Sequence, residues 1–239
     1  MSPACTLEIS VESLDAALAA ERGGAQRLEL CSDACQGGAT PNPELLRAAR
    51  ARVRLPIFTM IRPRAGNFVY SADEFEAMRR DIATAKQLHM DGIVLGLLNA
   101  GAQVDVERTQ QLVAHAKPLP VTFHRAFDAS SDLAKSLEDV IETGATRLLT
   151  SGGKNTAPEA LDRLASLVRT ASGRIIIMPG SGLHAGNIRE AIQQTAAPEY
   201  HAGLSSVIPR PAENISAFEA EVRKLSAALR AGALPFQVP

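Results

Sequence analysis

Arg27-Leu28-Glu29-Leu30-Cys31, read beside Thr6-Leu7-Glu8-Ile9-Ser10-Val11, decides the fold. Both are short apolar runs broken at alternate positions, the period of a β-strand. With Leu7, Ile9, Leu28 and Leu30 facing helices, Glu8 and Glu29 must point the other way, into a closed interior. The same parity turns Arg62 inward from Met60-Ile61-Arg62, His124 inward from Thr122-Phe123-His124, and His201 inward between Tyr200 and Ala202. Buried carboxylates, a guanidinium and imidazoles are costly unless paired, so their convergence is informative.

Working outward, apolar runs at 6–11, 27–31, 56–62, 92–96, 120–125, 147–151, 174–179 and 200–202 read as strands. Most are separated by roughly 25 to 35 residues, the size of a βα unit. The segments between them carry apolar residues at helical spacing: Phe75, Met78, Ile82 and Ala85; Leu133, Leu137, Val140 and Ile141; Leu161, Leu164, Ala165 and Val168. Ser71-Ala72-Asp73-Glu74 reads as a capping box opening the first of these helices. Ile215, Phe218, Val222, Leu225 and Leu229 predict a closing helix, with a tail, over 213–239. Eight strands alternating with helices predict an α/β chain folded as one (β/α)8 TIM barrel over 1–239, with its working surface at the C-terminal strand ends. A doubly wound open sheet is the alternative.

The chain has 239 residues, enough to bury a sizeable core, and a net charge of -1, which argues against a nucleic-acid surface. No apolar run reaches membrane-spanning length and the start lacks a secretory pattern, so a cytoplasmic protein with no membrane or nucleic-acid partner is expected. Three cysteines do not make a disulfide framework and fit free thiols in a reducing compartment.

Several groups of residues carry chemistry. Glu8, Glu29, Arg62, His124 and His201 read as a catalytic or binding floor at the barrel mouth; the competing reading is an internal network in which Arg62 neutralises both glutamates. His124-Arg125-Ala126-Phe127-Asp128 offers a His-Arg pair and a carboxylate to clamp and protonate an anion, unless Arg125 and Asp128 pair with each other. Thr150-Ser151-Gly152-Gly153 and Pro179-Gly180-Ser181-Gly182 follow strands and precede helices, so their amides are candidates for an anion site, or the glycines simply permit tight turns. Lys154 is a weak Schiff-base candidate and reads better as a surface lysine. Cys31 has the inward parity of Glu29 and is the candidate soft ligand for Cu(I) beside His124 or His201, or else a small core residue. Cys5 lies at the opposite rim.

Glu21-Arg22-Gly23-Gly24-Ala25, Arg27-Leu28-Glu29-Leu30-Cys31, Gly37-Gly38-Ala39-Thr40-Pro41, Met60-Ile61-Arg62-Pro63-Arg64, Phe68-Val69-Tyr70-Ser71, the run from Pro118 to Asp128, Leu149-Thr150-Ser151-Gly152 and Ile176-Ile177-Met178-Pro179-Gly180 occur in that order. Together, over about residues 6 to 203, they resemble the CutC family of copper-homeostasis proteins. The resemblance implies a cytoplasmic TIM barrel, homo-oligomeric as a dimer or tetramer, and linked to copper. Two departures stand out: Ser181 where the family has a third consecutive glycine, and Ala202-Gly203 after Tyr200-His201 where a serine is expected.

Two functions follow. One is copper homeostasis with Cu(I) bound through Cys31 and a nearby histidine. The other is metal-independent enzymology on a small anionic, phosphorylated metabolite. In the second, His124 is acid/base, Glu8 or Glu29 its partner, and Asp128 a further catalytic carboxylate. Arg62, Arg64, Arg125, Ser151, Gly152, Gly180, Ser181, Gly182 and His201 are then expected to bind the ligand.

Overall fold

The computed structural model describes residues 5–210 and 213–232. Strands β1 (Thr6–Val11), β2 (Arg27–Leu30), β3 (Ile57–Met60), β4 (Gly92–Leu95), β5 (Val121–Phe123), β6 (Arg147–Thr150), β7 (Ile176–Pro179) and β8 (Glu199–Ala202) are all parallel, in the order β7-β6-β5-β4-β3-β2-β1-β8. No ladder joins β7 to β8 among the described residues. The two ends nevertheless meet, since a Cβ added at Gly180 would lie 3.1 Å from that of His201. The sheet is therefore a barrel closed to one seam, and the open-sheet alternative falls.

Helices α1 (Leu14–Gly23), α2 (Pro43–Arg52), α3 (Ala72–Gln87), α4 (Val106–Ala116), α5 (Leu133–Glu142), α6 (Leu161–Ala171), α7 (Ile188–Thr195) and α8 (Ile215–Gly232) cover the outside. On α3, α5, α6 and α8 the apolar stripes read from the sequence pack onto the strands. On α3, Phe75, Met78, Ile82 and Ala85 are buried, and the Ser71–Glu74 capping box satisfies orphan amides of its first turn. On α8, Phe218, Val222, Leu225 and Leu229 are buried, and Val222 fits against Gly23 of α1 so closely that a Cβ there would lie 2.6 Å away. The tail expected after this helix lies outside the described residues.

Several strands end earlier than the apolar runs suggest. Cys31, Ile61 and His124 each add one more ladder-like bond, to Val11, Val94 and Leu95, and then the chain turns away. At β3 the turn is forced by Thr40: its hydroxyl accepts from the Arg62 amide, and its own amide donates to the Arg62 carbonyl. Cys31, Arg62 and His124 therefore stand on the rim of the mouth, where the chain leaves the barrel.

The interior is not a purely aliphatic core. Arg27, on the inward face with Glu29, donates through Nε to Glu8 at 2.5 Å and through Nη2 to Glu199, while Arg147 reaches Glu199 at 2.8 Å. Both guanidinium groups lie over the Phe58 ring, at 4.8 and 5.3 Å from its centroid. The expectation that Arg62 neutralises Glu8 and Glu29 is corrected here: Arg27 does this for Glu8. Arg27 has the same strand parity as Glu29, and its bulk can reach Glu8 because Glu8 and Arg27 are register partners.

Removing one member of a buried ion pair strands the others, which typically costs 3–5 kcal/mol. Arg27→Met is expected to lower unfolding free energy by about that much, read by urea denaturation with the slope unchanged. Arg174→Met, which breaks an exposed pair with Glu138, is expected to leave the midpoint where it was. A loss in Arg27→Met no larger than in Arg174→Met would show that the interior network does not hold the barrel.

Candidate functional site

The barrel mouth opens into a cleft of about 1020 Å³. Glu29, Cys31, Arg62, His124, His201 and Phe68 line its floor; Glu8, Arg64, Ser151, Gly152 and Gly180 do not reach it. Ser181 and Gly182 form part of the wall, and Arg125, Asp128, Lys154 and Arg210 line it further out.

Glu8 sits beneath this floor, fully buried, accepting from Arg27 and from Nδ1–H of His201 at 2.7 Å. Burial alone would raise its carboxyl, but Arg27 and then His201 outweigh that and hold it down at about 2. His201 is in turn raised: burial opposes its charge, and Glu29 and Glu8 favour it more. Its Nε2 lies 4.0 Å from Glu29 Oε1. Glu29 accepts from the Ser10 hydroxyl at 2.9 Å through Oε1, while Oε2 has no partner. Burial raises the Glu29 carboxyl, with His201 opposing.

His124 stands apart from the glutamates, so pairing with Glu8 or Glu29 is corrected: the histidine that pairs with Glu8 is His201. Nδ1 of His124 accepts from the Ala126 amide at 3.1 Å, which fixes the ring proton on Nε2, and Nε2 has no partner. Burial and the Arg62 charge push its ionisation down to about 3. At neutral pH it is a neutral N–H donor, and the expected acid/base role near neutrality does not survive.

Arg62 has a different role from the expected two-glutamate clamp. Nη1 donates to the carbonyls of Gln36 (3.0 Å) and Gly38 (2.7 Å), and Nη2 to that of Gly66 (2.9 Å). Nε–H is unpartnered. The guanidinium lies 5.0 Å from the Phe68 ring, and the His124 ring 5.1 Å from the same ring. Phe68 thus seats both donors side by side. Arg64 is turned away, bonded to Glu74 and Asn67.

The first glycine loop already holds an anion, the chain's own Asp128. That carboxylate accepts from the Ser151 and Gly153 amides, the Thr150 hydroxyl at 2.5 Å and Arg125 Nε at 3.0 Å. Gly152 donates to the Thr150 hydroxyl instead. Asp128 is therefore a loop brace and not a free carboxylate, and the Ser151 amide and hydroxyl and the Gly152 amide are engaged within the chain. Arg125 pairs with Asp128, the competing reading of that segment. In the second loop the Gly180 amide is taken by the Thr150 carbonyl, and α7 begins well past Gly182. Ser181 and Gly182 have left-handed φ of 78° and 72° and keep their place on the cleft wall.

Two glycines carry a different message from the one their loops suggested. A Cβ at Gly96 would collide with the His124 ring, and one at Gly180 would crowd Cδ2 of His201 at 3.3 Å. They make room for the two imidazoles. Ser10 and Arg27 were legible from the alternation that gave Glu8 and Glu29; Glu199 fell outside the run taken as the last strand.

The donor set fits Cu(I) poorly: its soft atoms on the floor are the Cys31 thiol and, packed beside it, the Met60 thioether. Cys31 is buried among Phe58, Met60 and Val94, 3.5 Å from Ser10 Oγ. Burial, then the Glu29 charge, push its thiol up to about 12, whereas Cu(I) takes the thiolate. Glu8, Glu29 and His201 bring ligand atoms within 4.8 Å of one another, but two carboxylates and an imidazole are not a soft set, and Glu8 is already bonded to Arg27 and His201.

The CutC family pattern matches residues 5–206. A family protein CutC from Xylella fastidiosa is 45% identical over 208 residues, 87% of this chain and 78% of the relative. The human copper homeostasis protein cutC homolog is 42% identical over 200 residues, 84% of this chain and 73% of that one. The crystal structure of CutC from Streptococcus agalactiae superposes with a TM-score of 0.78 at 34% identity, covering 83% of this chain and 98% of the other. No helix among the described residues is long and apolar enough to cross a membrane.

His124 gives a pH test. Its folded ionisation lies near 3 against 6.5 unfolded, so between those values the unfolded chain binds more protons and stability falls as pH drops. Glu8, held near 2 against 4.5, adds a second loss from 4.5 downward, while the raised Glu29 and His201 act in the opposite sense. Subtracting the variant isolates the histidine: wild type is expected to lose stability faster than His124→Gln by up to about 1.4 kcal/mol per pH unit below 6.5. Parallel urea-unfolding curves for the two proteins across that range would place a charged or exposed imidazole at 124.

Proposed function

Because the chain belongs to the CutC family, we propose that it serves copper homeostasis, the role its human relative is named for, as an enzyme acting on a small anionic metabolite and not as a Cu(I) holder. One observation carries this reading: Glu29 Oε2, Arg62 Nε and His124 Nε2 are buried, lack any partner, and belong to side chains that line one cleft. A buried polar atom without a partner costs about 1–3 kcal/mol, so three in one floor are best accounted for by a ligand that completes them.

The cleft lining carries as many carboxylates (Glu12, Glu29, Asp128 and Glu213) as cationic side chains (Arg62, Arg125, Lys154 and Arg210), so the case for an anion rests on which cations are left without a partner. Of the cleft's arginines and lysine, Arg125 and Arg210 pair with Asp128 and Glu213. Arg62 and Lys154 have no carboxylate partner among the described residues. Lys154 is exposed on the loop beyond β6, where it suits the outer charge of a ligand whose polar head meets the floor. The Cu(I)-binding reading has in its favour the family's name and the Met60 thioether beside Cys31; against it, a metal would have to displace a proton from a thiol that burial raises to about 12.

Two measurements test the proposal together. Titrating Cu(I) against a chromogenic chelator is expected to give the same weak competition for wild type and Cys31→Ser. Melting in the presence of phosphate, sulfate and small phosphosugars is expected to show stabilisation, about 2.7 kcal/mol for any that reaches 100 times its dissociation constant, reduced in Lys154→Ala. Stoichiometric Cu(I) binding that disappears in Cys31→Ser, with melting indifferent to every anion, would reverse the assignment.

A further inference from the structure

If the cleft is that of an enzyme, as proposed above, the residues of its floor select one reaction class. Nucleophilic catalysis lacks an activated nucleophile: the Cys31 thiol is buried and protonated, Cys35 on the cleft lining is a free, exposed thiol with no hydrogen-bonded base among the described residues, and Lys154 stands on an exposed loop. Ser181 on the wall donates to the Asn155 carbonyl at 2.9 Å. No imidazole is available to activate a hydroxyl, because Nδ1 of His124 is engaged by an amide and Nε2 carries the proton, and Nδ1 of His201 is bonded to Glu8. One proton acceptor and two fixed donors remain.

We infer that the cleft transfers a proton at carbon next to a carbonyl, with Glu29 Oε2 as the base and the Nε2–H of His124 and Nε–H of Arg62 as the donors that hold the enolate oxygen. The inference rests on the enzyme reading of the cleft. The substrate class is a small α-hydroxycarbonyl compound bearing a phosphate or carboxylate. Oε2 takes the proton from carbon; the C–H electron pair becomes the carbon–carbon double bond, and the carbonyl pair moves onto oxygen. Glu29 then returns the proton to the neighbouring carbon from the same face, while the hydroxyl proton passes to the adjacent enolate oxygen, so that the former carbinol carbon becomes the carbonyl and the former carbonyl oxygen becomes a hydroxyl. The result is an isomer, with no oxidant, reductant or co-reactant consumed.

The geometry suits each part. Glu29 is anchored by Ser10 on one oxygen and leaves the other for the substrate. Arg62 is fixed through Nη1 and Nη2 by three carbonyls, which holds its Nε–H in one place before a ligand arrives, with the Tyr70 hydroxyl as its neighbour within the protein. Phe68 touches both donors, with the Arg62 guanidinium over its ring and the His124 ring tilted against it at 56°. A neutral imidazole polarises a carbonyl without giving up its proton, the better match for an oxyanion that is only transient. Exposures of 3% for Glu29 and 4% for Arg62 and His124 make the floor almost dry, where such donors act most strongly. His201 is a positioning residue: anchored by Glu8, it faces Glu29 Oε1 across 4.0 Å, and Arg27, Glu8, Ser10 and Cys31 complete the groups around Glu29.

Glycolohydroxamate, a planar mimic of an enediolate, and glycolate, which resembles only the ground state, separate this chemistry from simple anion binding. By calorimetry, glycolohydroxamate is expected to bind at least about a hundredfold more tightly than glycolate. Glu29→Gln is expected to erase most of that preference while leaving glycolate within about twofold, since only the enediolate mimic uses the base. The His124 Nε2–H proton resonance of the wild type is expected to move downfield with glycolohydroxamate, a readout that stands if Glu29→Gln does not fold. Equal affinity for both compounds, with the resonance unmoved, overturns the proton-transfer inference and leaves the anion-site reading in place. No binding of glycolate, glycolohydroxamate or any phosphate ester overturns both.

Discussion

The barrel depends on Arg27. Eight parallel strands close around an interior that must be filled, and here its lower half is filled by charge. Glu8 and Glu199 converge on one guanidinium from β1 and β8, the strands on either side of their shared ladder, and Arg147 brings the same carboxylate to β6. Glu199 thus binds across the seam that has no backbone ladder, tying β8 to β6 beyond β7. An aliphatic interior would close as well, but it would give Glu8 nothing to be ionised against. Ionised Glu8 is what orients His201, and Glu29 and Glu8 together favour the charged form of that imidazole over the cost of its burial. The floor of the mouth is in this sense the upper end of a stack whose lower end is structural: Glu199, Arg27, Glu8, His201, and then Glu29 with Ser10.

Much of this was legible in the alternation of a few strands. Glu8, Glu29, Arg62, His124 and His201 had inward parity, and the barrel brings the last four to its mouth with Glu8 beneath them. The pairings were not legible, because parity gives the face of a side chain and not its reach. Arg62 and Arg27 both face inward; which of them meets Glu8 depends on register, and register depends on where each strand starts. The strand that began at Tyr200 in sequence begins at Glu199 in the fold, and with it a carboxylate enters the interior. Strand ends mattered equally. Arg62 lies beyond β3, where Thr40 has captured its backbone, so its side chain folds into the Gln36–Gly38 and Gly66 carbonyls and stays clear of the glutamates.

The glycine loops failed for a reason that composition cannot reveal. A run of amides at a strand end attracts an anion, and the sequence supplied one from within, three residues past Arg125. Asp128 takes the Ser151 and Gly153 amides, two hydroxyls and a guanidinium, which locks the β5 and β6 loops together. That lock also holds His124 in place, because the turn from Arg125 to Ala129 presents the Ala126 amide to its Nδ1. A carboxylate that looked catalytic acts one step back, by fixing which nitrogen of the histidine bears the proton.

The distribution of unpaired atoms separates site from scaffold. Buried hydroxyls of Thr59, Tyr70, Thr109 and Thr122 also lack partners; none of these residues lines the cleft, although the Tyr70 hydroxyl lies beside the Arg62 guanidinium, and a lone hydroxyl can rotate to lessen its loss. Glu29, Arg62 and His124 cannot. Each is pinned by bonds to its other polar atoms, and each unpaired atom is the one left over from a fixed geometry. Relaxation would recover the cost only by breaking the Ser10, Gly38 or Ala126 bonds that do the pinning. A core network would have closed on itself, as Arg27, Glu8 and Glu199 do a few ångströms below. The same barrel therefore shows both outcomes for buried charge, satisfied where it supports the fold and held open where a ligand enters.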